Sequence, residues 1–293
     1  MQDANRILSK IRRLEIRTRG LVEASFAGQY RSVFKGRGMN FEEVREYQPG
    51  DEVRTIDWNV TARLGVPHIK KFTEERELTV MLMVDVSASG GYGSVNLSKR
   101  ELAAEVACVI AFSAIRNNDK VGLLLFSDHV ELYIPPKKGR HHTLRIIREI
   151  LYFQPVGKGT QPAEALHYVN RVLTRKAVVF LISDFEADDF ERELAITARR
   201  HDLIAMPVSD PAEEELPDVG IVTFEDAETG EQIEVNTSNP SVRSAYGHLA
   251  EKRRDALARE FRRKRIDAVW LETDRDYLPA LQVFFRTRER RLR

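Results

Sequence analysis

The sequence predicts an α/β fold, a doubly wound and mostly parallel sheet with a small strand-rich appendage at its N-terminal side. Four apolar runs, at 79–86, 120–126, 176–183 and 202–208, have strand length and little polar alternation, as strands covered on both faces require. Between most of them lie stretches of helical periodicity long enough to serve as crossovers between parallel strands. From Val33 to Thr73 the pattern is different: turn residues dominate and no long periodic segment is sustained.

The elements follow in order. From Asp3 to about Glu23, Ile7, Leu8, Ile11, Leu14 and Leu21 recur at roughly helical spacing among Arg6, Lys10, Arg12, Arg13 and Arg17, which predicts an amphipathic helix docked on the domain. From Val33 to Thr73, glycines 36 and 38, Pro49-Gly-Asp51 and Gly65-Val-Pro67 punctuate short segments of strand character such as Asp57-Trp-Asn-Val60, with Trp58 as an anchor. A central strand is expected at 79–86, a helix at 97–117 and a second buried strand at 120–126. The next strand, 130–134, follows after only Ser127-Asp-His129, so it must return antiparallel. Helices are expected at 141–153 and 161–173, a strand at 176–183, a helix at 190–200 and a strand at 202–208. A hairpin over 221–235 turns at Glu228-Thr-Gly230. A long helix over 241–264, with Ser241 as N-cap, a strand at 268–271 and a helix at 277–285 complete the chain.

The 293 residues fit one main domain with terminal additions, divided as 1–76 for the appendage and 77–293 for the sheet domain. With 46 basic and 45 acidic residues the formal charge is +1, so no whole-chain field draws the protein to nucleic acid or an anionic membrane. The apolar runs fall well short of the ~20 residues of a membrane helix, and no signal-peptide core opens the sequence, so a cytoplasmic location is expected. A single cysteine, Cys108, lies in an apolar stretch, which rules out an intrachain disulfide and fits a small buried residue.

The chemistry concentrates after the first central strand. Asp85-Val-Ser-Ala-Ser89 sets three oxygen side chains at two-residue intervals on a strand-to-helix turn, where an open parallel sheet places its ligand crevice. Gly157-Lys-Gly-Thr160 precedes a helix at the same edge, and Asp184 follows the strand that ends at Ser183. Asp85, Ser87, Ser89, Thr160 and Asp184 therefore offer five oxygen donors, two of them carboxylates. That set suits Mg²⁺, with Mn²⁺ or Ca²⁺ as substitutes, and leaves a coordination position for a carboxylate from a partner. Asp and Ser are also ordinary turn and N-cap residues, and Thr160 is placed to cap the helix that begins at 161.

These five residues resemble the metal-ion-dependent adhesion site of von Willebrand factor A domains, over about 77–208. Upstream, Gly36-Arg-Gly-Met-Asn-Phe-Glu-Glu-Val-Arg-Glu-Tyr-Gln-Pro-Gly-Asp-Glu-Val-Arg-Thr-Ile-Asp-Trp-Asn-Val-Thr-Ala-Arg63 is similar to the hallmark of the domain of unknown function 58 family. The resemblance implies a protein-binding adaptor rather than an enzyme, working with a MoxR-type AAA+ ATPase in protein maturation or remodelling. Gly90-Gly-Tyr-Gly93 departs from the family pattern, which often has a bulky apolar residue after the last serine. Within the hallmark, Arg45, Asp51, Arg54, Asp57 and Arg63 read first as a charged network that holds loops.

Other classes fare worse. A phosphatase of the haloacid dehalogenase type needs a second acid two residues after its aspartate, where this chain has Ser87. A P-loop would require Gly at 152 and Ser or Thr at 159, which are Tyr152 and Gly159. The enzymatic alternative is a metal-dependent hydrolase, a phosphatase or nuclease, in which the cation activates water. Basic runs at 252–254, 262–265 and 286–293 raise nucleic-acid binding, but Glu251, Asp255 and Glu260 interleave with them as on a solvated helix face.

Overall fold

The computed structural model describes residues 30, 33, 40–73, 77–94, 97–157, 159–225 and 230–292. The helix expected over 3–23 lies outside them. The chain forms two compact units, residues 34–78 being one and residue 79 onward, with Tyr30 and Val33, the other.

In the smaller unit β1 (Asn40–Glu46) pairs antiparallel with β2 (His68–Thr73). Arg45 grips Asp51 with two nitrogens, at 2.7 and 2.8 Å, and the N–H of Gln48 donates to the same carboxylate at 2.8 Å. The turn at Pro49-Gly-Asp51 is closed in this way. Asp57-Trp-Asn-Val60 is not a strand. It opens α1 (Trp58–Leu64), because the Asp57 carboxylate accepts from the N–H groups of Asn59 and Val60 and caps the first turn. Trp58 is 67% exposed, so its indole is not part of this unit's interior.

The larger unit is built on β3 (Thr79–Asp85), followed by α2 (Lys99–Arg116), β4 (Lys120–Phe126), β5 (Val130–Lys137), α3 (Arg140–Tyr152), α4 (Pro162–Val172), β6 (Val178–Ser183), α5 (Glu191–Arg200) and β7 (Asp202–Ser209). A short α6 (Pro211–Glu214), the strands β8 (Ile221–Glu225) and β9 (Gln232–Asn236), α7 (Pro240–Lys264), β10 (Asp267–Ala268), β11 (Leu271–Glu272) and α8 (Tyr277–Leu292) complete it. The main sheet runs β10-β7-β6-β3-β4-β5, with β11 also on β7. Every pairing is parallel except β4 with β5, the one pair joined by a short turn.

Alternation along the strands sorts the core into two layers. Met81, Met83, Leu124, Phe126, Val179, Leu181, Leu203 and Ala205 share one face with Leu166 and Val169 of α4, Leu194 of α5 and Phe261 of α7. Their neighbours in sequence, among them Leu82, Leu123, Phe180 and Ile204, are equally buried. α2 packs on β3 and β4, and Cys108 of α2 meets Ile147 of α3. Ser98 caps α2 in a capping box with Glu101.

Three ends differ from expectation. Asn239, not Ser241, caps α7: its side chain accepts from the N–H of Ser241, and Pro240 takes the first helical position, where a missing N–H costs nothing. The strand expected at 268–271 is split into β10 and β11, with Trp270 turned onto Phe261 at 6.3 Å between ring centroids. α8 continues through the basic tail to Leu292 because Arg288 pairs with Asp202 and, at 3.1 Å, with Asp267, which also takes Arg291 at 2.6 Å. β8 and β9 pair antiparallel as the hairpin reading requires; the turn residues 226–229 lie outside the described set.

Candidate metal centre

β4 lies on one side of β3 and β6 on the other, so the winding direction reverses between β3 and β6. A crevice opens at the carboxyl ends of two such strands. Asp85 ends β3 and Asp184 follows β6, which brings residues 99 positions apart to one spot.

Both oxygens of Asp85 are engaged. The N–H of Ser87 donates to Oδ1 at 2.9 Å, and the Ser183 hydroxyl donates to Oδ2 at 2.7 Å. The hydroxyls of Ser87 and Ser89 lie 3.1 Å apart, and Ser89 donates to Asp184 Oδ2 at 2.8 Å. Asp85, Ser87, Ser89 and Asp184 thus form one continuous polar chain. Asp85 and Ser87 are only 8% and 3% exposed. Burial pushes the Asp85 carboxyl up to about 6, and the charge of Asp184 adds to the effect, against hydrogen bonds from Ser87 and Ser183. Two carboxylates held out of water near one another oppose ionisation, and a cation between them removes that opposition.

Thr160 stands on a separate loop at the same edge. The N–H of Gln161 donates to the Ser127 carbonyl at 2.8 Å, at the end of β4, the strand next to β3. That loop is moored by Glu131, whose Oε1 accepts from the N–H groups of Val156 and Gly157 at 2.9 and 2.7 Å and from the Ser127 hydroxyl at 2.7 Å. Gly157 runs so close to the strand end that a Cβ would collide with the Ser127 hydroxyl and the Asp128 carboxylate. The loop after Ser89 is moored as well. A Cβ on Gly93 would meet the backbone of Leu97 and Ser98, and Ser94 donates through N–H and hydroxyl to the fully buried Asp210, at 2.9 and 2.5 Å. Gly93 therefore serves a close backbone approach.

Phe185 sits at φ 58°, a left-handed conformation that a bulky residue adopts only under constraint. The constraint is visible: its N–H donates to the Ser183 hydroxyl at 3.0 Å, and its ring packs on Phe190 and Phe261 at 5.8 and 5.3 Å. This bend sets Asp184 at the crevice.

Sequence reasoning missed three participants. Ser183 bonds Asp85. Lys99, 3% exposed, donates to Asp184 Oδ2 at 2.9 Å and to Glu213 Oε1 at 2.6 Å. Burial works against the ammonium, but the two carboxylates raise its affinity for the proton overall. The signal was available, since Lys99 is the first residue of α2, and a cation at a helix N-terminus is disfavoured unless something nearby compensates it. Asp210-Pro-Ala-Glu213 likewise reads as a capping box, and it positions Glu213 on α6.

A cleft of about 20 Å³ lined by Asp85, Ser89, Lys99, Ser183 and Asp184 has room for one water-sized particle. Among the described residues no group of three or more His, Cys, Asp or Glu side chains is placed to hold a metal ion. The donor set here is instead two carboxylates with hydroxyls, hard oxygen ligands that fit a hard dication. A groove of about 680 Å³ begins at Asp184 and Glu213 and runs past Phe190, Arg253, Leu257 and Trp270. No helix among the described residues is long and apolar enough to cross a membrane.

Residues 43–256 match the family described as protein of unknown function DUF58. An uncharacterised protein of Mycobacterium tuberculosis (strain ATCC 25618 / H37Rv) is 33% identical over 291 residues, spanning 98% of this chain and 92% of its own. Among solved structures, an aerotolerance-related membrane protein from Bacteroides fragilis is 16% identical, with 73% of this chain and 99% of that one covered and a TM-score of 0.47. The SpRpn10 VWA domain is 13% identical, with coverage of 71% and 94% and a TM-score of 0.38.

Proposed function

The chain belongs to the DUF58 family, and from that membership and the geometry of the crevice we propose that it is a metal-dependent protein-binding adaptor. Asp85, Ser87, Ser89 and Asp184, with Thr160 from the neighbouring loop, hold a divalent cation, Mg²⁺ first. The cation's remaining position takes an Asp or Glu carboxylate from a partner protein. The observation that carries this reading is the unbroken contact chain Asp85, Ser87, Ser89, Asp184 at the reversal point of the sheet.

Binding rather than turnover is favoured by what surrounds the crevice. The nearest cation is a lysine already committed to two carboxylates, and Glu213 is bound to that lysine and to the N–H of Asp210 at 3.0 Å. Neither is left as a general base for activating water. The groove that starts at Asp184 gives the partner segment a surface beyond the metal. The resemblance of the N-terminal hallmark implies a MoxR-type AAA+ ATPase as that partner, in the cytoplasm.

Affinity capture from the native host, with wild type and Asp85→Ala, in Mg²⁺ and in EDTA, tests the proposal. The expected result is a set of partners retained by wild type in Mg²⁺ and lost in the other three conditions. Identical partners in all four would overturn the adaptor reading, and phosphatase or nuclease turnover by the pure protein would replace it with the hydrolase.

A further inference from the structure

Lys99 is a buried ammonium that the capture of a carboxylate does not itself require. Its side chain is 3% exposed, which is rare for lysine unless it is fully paired. It divides itself between two acids of different standing. Asp184 belongs to the metal centre, while Glu213 lies on α6 and is fixed from its other oxygen by the Asp210 N–H.

We propose that Lys99 is an internal cation that holds the Asp184 side of the centre until a divalent ion displaces it onto Glu213. The inference rests on the metal reading above. The charge count of the hydrogen-bonded group supports it: Asp85, Asp184 and Glu213 contribute three negative charges and Lys99 one positive, so a dication brings that group to neutrality. Lys99 with Glu213 is then a neutral pair, and Asp85 with Asp184 balances the metal. Without the dication, the ammonium keeps Asp184 compensated in a site where an unpaired buried carboxylate is costly. With it, ammonium and metal repel across a small cleft, and Glu213 is already within 2.6 Å to receive the ammonium.

Two consequences follow. Lys99 lowers the affinity for the dication, because metal entry must break the Lys99 contact with Asp184. It also links the centre to the adjacent groove, since Asp184 and Glu213 both line that groove.

Two substitutions push in opposite directions. Lys99→Met keeps an unbranched side chain one atom shorter and removes the competing charge; Mg²⁺ binding measured by calorimetry is expected to tighten at least tenfold, while the melting temperature in EDTA falls. Glu213→Gln removes the receiving acid and leaves the ammonium to Asp184 alone, so Mg²⁺ binding is expected to weaken by a similar factor. If Lys99→Met does not fold, the Glu213→Gln arm decides alone. Wild type that binds Mg²⁺ while either variant binds equally, or shifts in the reverse direction, overturns this role for Lys99 and leaves the metal centre standing. No Mg²⁺ binding by wild type or by either variant overturns both.

Discussion

Replacing Glu131 with Gln isolates the charge that moors the Thr160 loop. The carboxylate side chain is 3% exposed, and three donors converge on its Oε1 from Val156, Gly157 and Ser127 at 2.9, 2.7 and 2.7 Å. Glutamine keeps an acceptor oxygen in the same place and loses the charge. A hydrogen bond to a charged group contributes ~1.5–3 kcal/mol against ~0.5–1.5 for a neutral one. Three such differences at one shared oxygen do not add in full, which leaves a loss of ~2 kcal/mol. For a unit of this size that corresponds to a fall in melting temperature of roughly 4–8 °C. If the loss is local to the loop, amide exchange at Val156 and Gly157 accelerates by roughly 30-fold, from the same ~2 kcal/mol.

The effect has a sign in pH. Burial alone would raise the Glu131 carboxyl, but the N–H of Gly157, the Ser127 hydroxyl and the N–H of Val156 hold it below its ordinary 4.5. Its contribution is therefore complete above that value and disappears as pH falls through the depressed one. The gap between wild type and Glu131→Gln should close along the acid limb. Unchanged exchange at both amides, or a gap that widens in acid, would refute the mooring argument.

Asp210→Ala deprives Ser94, Ala212 and Thr273 of a fully buried acceptor, and urea unfolding should register a loss of about 3 kcal/mol, since the stranded donors keep their desolvation cost. Leu181→Ala, at a fully buried position of β6, is expected to lose ~2–5 kcal/mol in the same assay while the metal affinity of the folded fraction stays unchanged.

The sheet was legible because burial on both faces leaves continuous apolar runs, and Lys120–Phe126 has the bounds that its composition implies. β5 was legible for a different reason, as three residues cannot carry a parallel return. What escaped depends on hydrogen bonds that cross or compete with the pattern. The apolar and β-branched character of Asp57-Trp-Asn-Val60 suggests a strand, but the capping carboxylate of Asp57 decides for a helix. The end of α8 is set by Asp202 and Asp267, acids supplied from elsewhere in the fold that no local reading of the arginines contains. At the crevice, the spacing places Asp85, Ser87, Ser89 and Asp184 at or shortly after strand ends, and the structure joins these four by hydrogen bonds. Glu213 escaped because it looks like an ordinary first-turn acid, and Lys99, although unusual at a helix N-terminus, has its compensating acids from distant loops that bring the two within 3 Å of one another.

A crystal soaked in Mn²⁺ and measured at the manganese absorption edge tests the central claim most directly. One anomalous peak bounded by Asp85, Ser87, Ser89 and Asp184, with oxygens at ~2.1–2.2 Å, is the expected result. A map with no peak there, and with Lys99 still on Asp184 at saturating metal, would contradict the account.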